Sequence, residues 1–164
     1  MSNSTRPPGV PPRPAERRIA DAQRTLRSER HLWLATAADG TPHLVPLAYV
    51  WNHDELVCVT KEANRSVRNV VASGRARAAV GTARDVVLVD ATVTVAEPST
   101  VDPVVAAVLD RLPLNPARVP GVVVLRLRPY RILAWRELSE MPDRVIMTNG
   151  RWLTDERAPA MPAS

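Results

Sequence analysis

The run His31-Leu32-Trp33-Leu34-Ala35-Thr36, then Asp39-Gly40, then Thr41 through Trp51, decides how this 164-residue chain folds. The pattern is that of extended structure, and Asp-Gly tolerates the positive φ that a two-residue hairpin turn demands, so the stretch predicts two antiparallel strands. Asn52-His53-Asp54 supplies a second turn and Glu55 to Thr60 a third strand, which completes a meander.

Outward toward the N-terminus, Ile19, Ala22 and Leu26 recur at helical spacing, so residues 15–28 predict a short amphipathic helix. Before it, Pro7, Pro8, Pro11, Pro12 and Pro14 remove backbone donors, and residues 1–14 are expected to form a disordered arm. Outward toward the C-terminus, Asn64 is placed to cap a helix through Arg65, Val67, Val70 and Val71, with Gly74 as its terminator. Residues 75–80 and 86–96 read as strands, 98–103 as a loop, and 104–112 as another helix ended by Pro113 and Pro116. Residues 121–128 and 130–137 read as strands with a bulge or bend at Pro129. Asn149-Gly150 closes a terminal hairpin of 144–147 with 151–153, and residues 155–164 are expected to be a mobile tail. Six or more mostly antiparallel strands with two or three short helices suit a small closed barrel, mainly β, and exclude a parallel sheet with a dinucleotide crevice. One domain over residues 15–154 accommodates all of it.

Composition narrows the function. The formal charge is +5, but residues 1–30 hold seven Arg against three acidic residues, so the remaining 134 residues are nearly neutral. Nucleic-acid binding is therefore not expected. No apolar run is long enough to cross a bilayer, no secretory signal is evident, and a cytoplasmic protein without membrane association is expected. The single Cys58 cannot form an internal disulfide, and alternating with Val57 and Val59 it reads as a buried, inert thiol. His31, His43 and His53 share no ligand spacing, so no metal site is expected. Trp33 and Trp152 read as core or interface packing, and Arg126 and Arg128 as the solvated face of a strand.

No phosphate-binding Gly loop, HExxH, CxxC or nucleophile elbow occurs, and no catalytic residue is assigned. What remains is a polar cluster just after the third strand: Thr60, Lys61, Asn64, Arg65, Ser66, Arg68 and Asn69. Free N–H groups and the positive end of the helix dipole favour an anion there, and a solvated first turn carrying ordinary Arg residues is the alternative.

The order of these motifs resembles that of the pyridoxamine 5′-phosphate oxidase-like flavin and deazaflavin oxidoreductases over about residues 16–154. Residues 35–47, from Ala35-Thr36 through Asp39-Gly40 to Pro46-Leu47, are similar to that family's opening hairpin. Residues 64–70 are similar to its phosphate-binding turn, residues 84–92 to its central strand, and Ala134-Trp135-Arg136-Glu137 to its C-terminal strand. The resemblance implies a split β-barrel homodimer with a flavin mononucleotide (FMN), or a related deazaflavin coenzyme, in each groove between subunits. It implies that Thr60, Lys61, Arg65, Ser66 and Arg68 hold the cofactor phosphate. It further implies that Pro46, Leu47, Ala48 and Tyr49 face the ring, that Trp51 stacks, and that Trp135 or Arg136 reaches in from the partner. Two positions depart from the family pattern: Ser66 stands where many relatives have Lys, and Asp90 where Gly is frequent. The expectation is an oxidoreductase acting on a small organic substrate. The alternative is a non-catalytic flavin-, haem- or tetrapyrrole-binding protein of the same fold. Because the cofactor carries the hydride chemistry, the missing nucleophile agrees with the first reading.

Overall fold

The structure is a computed structural model that describes residues 9–153. Residues 1–8 of the expected arm and the expected tail at 155–164 lie outside the described residues. The elements are α1 (Ala15–Ser28), β1 (His31–Ala38), β2 (Thr41–Asn52), β3 (Glu55–Lys61), α2 (Arg65–Ser73), β4 (Arg75–Thr82), β5 (Asp85–Ala96), α3 (Pro103–Leu109), β6 (Val122–Trp135), β7 (Val145–Thr148) and β8 (Arg151–Trp152). All strand pairs are antiparallel, in the order β3-β2-β1-β4-β5-β6-β7-β8. A further β3–β6 pairing closes the first six into a barrel, and β7 and β8 extend it beyond β6.

The turns form where the sequence asks for them. Asp39 and Gly40 have φ of 51° and 73°, and His53 and Asp54 have 47° and 62°, the left-handed pair that matches strand twist. At Gly81, φ is +89° and an added Cβ would stand 2.4 Å from the Asp85 carbonyl, so only glycine fits this approach to the β4–β5 turn.

Strand alternation sends Leu32 and Leu34 of β1, Val87 and Val89 of β5, and Leu125 and Leu127 of β6 into the barrel. β3 is buried on both faces. Leu56 and Cys58 point inward, whereas Val57 and Val59 lie under α3, where Val105, Val108 and Leu109 cover the outer wall. Cys58 is fully buried and burial pushes its thiol up to about 12, so it is inert as expected. α1 packs Ala22 and Leu26 into one end of the barrel, and α2 packs Val67 and Val70 into the other. Tyr49 donates from its phenol to the Leu26 carbonyl (2.8 Å), and Asn69 donates from its amide to the Thr36 hydroxyl (3.0 Å).

Several expectations need correction. The stretch just before α1 is not loose. Arg13 forms an ion pair with Glu140 (2.7 Å) and another with Asp21 (2.8 Å), and Ser139 donates to the Val10 carbonyl (2.7 Å). The segments 121–128 and 130–137 form one strand, β6. Its pairing with β5 steps from Asp90–Arg131 to Ala91–Pro129, which leaves Tyr130 as the bulge and lets Pro129 sit where no ladder bond is required. α3 ends at Leu109, three residues early, although Asp102 caps it by accepting from the Val105 N–H (3.0 Å). A 3₁₀ turn at Leu138–Asp143, unmarked by periodicity, follows β6. Arg126 and Arg128 are not simply solvated: both bind the buried carboxylate of Glu55 (2.8 and 2.9 Å). Trp33 is no core residue, being 51% exposed on the outer face of β1.

Candidate functional site

The site follows from where two strands part. β2 pairs with β3 only from Tyr49–Cys58 to Asn52–Glu55, while β3 continues alongside β6 to Lys61. Residues 41–48 of β2 are paired with β1 alone among the described residues. The free edge at Leu47 and Ala48 therefore borders a split, and the chain enters α2 at its end.

At that end Thr60 is buried, and its hydroxyl accepts from the Asn64 amide (2.8 Å), which leaves its own proton free to donate. Asn64 occupies the N-cap position with extended backbone, but its side chain makes no cap bond and is turned to Thr60 instead. As a result, the N–H groups of Arg65 and Ser66 have no acceptor among the described residues. The Ser66 hydroxyl is buried and also lacks a partner. Leaving such a group unpaired costs about 1–3 kcal/mol. Lys61, Arg65 and Arg68 stand exposed around it, and Arg68 is steadied by one bond to the Ala63 carbonyl (2.9 Å). Two free N–H groups at a helix start, two hydroxyl donors and three cations are a donor set that could hold a phosphate.

The other expected residues divide. Pro46 and Ala48 lie on the outer face of β2, and Leu47 packs partly into the barrel. The Tyr49 ring is buried in the core and its phenol donates to the Leu26 carbonyl. Trp51 is half-buried and, with Ala48, lines a cavity of about 330 Å³ between β2, the α1–β1 link and the turn after α3. Trp135 and Arg136 are remote from α2 within one protomer. Thr60 pairs with Val123, and Trp135 follows twelve residues further along the same strand, roughly 40 Å of contour. Arg136 is already held by Asp85 (2.8 Å) and Asp21 (3.3 Å) of its own chain. Asp90, in the position where glycine was expected, is buried and bridged to Arg77 (2.6 Å). No group of three metal-ligating side chains occurs among the described residues. No helix among them is long and apolar enough to cross a membrane.

A closed six-stranded antiparallel barrel whose second and third strands part beside a helix start is a split β-barrel. Residues 19–136 match the family model described as pyridoxamine 5′-phosphate oxidase, and this chain belongs to that family. Solved structures share the fold at low identity. A FAD-binding protein from Mesorhizobium loti is 21% identical, with 69% of this chain and 90% of that one covered (TM-score 0.52).

 An F420 reductase is 22% identical, with 67% of this chain and 94% of that one covered (TM-score 0.54). HutZ, a haem storage protein from Vibrio cholerae, is 16% identical, with 76% and 96% covered (TM-score 0.58). No curated protein matches the chain.

The cluster at residues 60–68 was legible as a strand end running into a helix start. The unpaired state of Ser66 and the turned side chain of Asn64 were not, because both depend on what the barrel brings within reach.

Proposed function

We propose that this protein is an oxidoreductase that uses FMN or an F420-type deazaflavin and works as a homodimer on a small organic substrate. The observation that carries the reading is the buried, partnerless Ser66 hydroxyl beside two free N–H groups at the start of α2. A cofactor phosphate would satisfy all three, and Lys61, Arg65 and Arg68 would balance its charge. A bound flavin or deazaflavin supplies hydride transfer. The protein's part is to hold the phosphate at α2 and to offer the free edge of β2, at Leu47 and Ala48, to the polar rim of a flat ring. Trp33, Leu44 and Pro46 lie on the outer face of β1 and β2, where an apolar surface in solvent favours a second copy. With Trp135 and Arg136 far from α2 in one protomer, only such a copy could bring them to the split.

The test is the visible spectrum of the purified protein, followed by titration with FMN and with the deazaflavin coenzyme. Saturable binding of one of them is expected. Arg65→Gln/Arg68→Gln should weaken it by about tenfold to a hundredfold, from the loss of one or two charge-assisted bonds. Unchanged affinity in the double variant, a Soret band in place of a flavin spectrum, or a monomer by analytical ultracentrifugation would each oppose the reading.

A further inference from the structure

A cavity beside β2 gathers three arginines that are bound to no carboxylate. It lies between the α1–β1 link, β2 and the turn after α3. Ala48, Val50, Trp51 and Leu112 give it an apolar floor. Around it stand Arg27, Arg30 and Arg111, opposed by Glu29 alone. Several other arginines are spent on carboxylates: Arg13 on Glu140, Arg77 on Asp90, Arg126 and Arg128 on Glu55, Arg136 on Asp85. None of the side chains of Arg27, Arg30 and Arg111 makes an ion pair or hydrogen bond among the described residues. Three uncommitted guanidinium groups over an apolar floor raise the local potential and keep their donors available. A volume of about 330 Å³ accommodates a small organic molecule.

We infer that this cavity binds a small organic anion with a flat apolar body, its carboxylate held by Arg27, Arg30 and Arg111 and its body against Trp51. Ala48 belongs both to the cavity and to the free edge of β2, so the cavity opens beside the split. Its role as the substrate compartment rests on the oxidoreductase reading; the binding itself does not.

The experiment is calorimetric titration of the full chain, without added cofactor, with 1-naphthoate and with its uncharged analogue 1-naphthamide. Naphthoate should bind saturably, and naphthamide about tenfold more weakly or less well still, a difference that added salt reduces. Arg27→Gln/Arg30→Gln/Arg111→Gln should lose about tenfold or more in naphthoate affinity with an unchanged melting temperature. Arg75→Gln/Arg151→Gln, which also lowers the net charge but away from the cavity, should bind as the parent does. Equal affinity for acid and amide, no saturable binding, or full affinity in the triple variant would overturn the inference. Loss of cofactor binding with naphthoate binding intact would instead count against the α2 anchor alone.

Discussion

The two ends of the barrel solve the burial of polar groups in opposite ways. At the α1 end, Asp21 is 3% exposed and is met by Arg13, Arg24 and Arg136 at 2.8 to 3.3 Å. Glu140 accepts from Arg13 and from the Arg136 N–H (2.7 Å), while the buried Arg18 gives its guanidinium to the carbonyls of Arg13 and Asp143. Burial alone would raise the Asp21 carboxyl, but the hydrogen bond from Arg13 and the charges of Arg136 and Arg17 hold it below its ordinary value. At the α2 end, a hydroxyl and two N–H groups are left without partners and the cations point at no carboxylate. One end is built to stay shut, and the other is incomplete until something anionic arrives.

The largest effect should come from opening the shut end. Glu140→Gln removes one of the two carboxylates that Arg13 is paired with and should cost about 3 kcal/mol in urea denaturation at neutral pH. Its pH dependence has a definite sign. The hydrogen bond from Arg13, working against burial, holds Glu140 at about 2, below its ordinary 4.5. Its contribution is therefore full above 4.5 and is lost as the pH falls toward 2. The gap between parent and variant should narrow over that interval; a constant gap would mean that the carboxylate charge is not what closes this end.

Tyr49→Phe sharpens the comparison on the same side. It strands the Leu26 carbonyl and should cost about 1–2 kcal/mol by thermal denaturation while leaving cofactor affinity unchanged. A loss of cofactor affinity with no loss of stability would restore Tyr49 to the ring-facing role that the family resemblance implied.

The α2 end was easier to anticipate than the α1 end, for a physical reason. A helix start after a strand, with Arg and Ser in its first turn, is local in sequence, as are the Asp39-Gly40 and Asn149-Gly150 turns. Both turns have the positive φ that their residue types favour. The α1 network joins Arg13 to Glu140 across 127 residues, and no periodicity couples such distant charges. The same holds for Glu55, whose partners Arg126 and Arg128 lie 71 and 73 residues away. Strand alternation placed Arg126 and Arg128 on the outer face of β6, but it could not tell that β3 is covered on both sides, since α3 returns to it only in three dimensions. The burial of the Tyr49 side chain was not legible, because its place in the strand is compatible with either face until the barrel closes.

Ser66→Ala measures the open end directly, because it removes the partnerless hydroxyl and nothing else. The account predicts a gain of about 1 kcal/mol in the stability of the cofactor-free protein together with weaker binding of the cofactor phosphate. A less stable protein that binds the cofactor as tightly as before would contradict it.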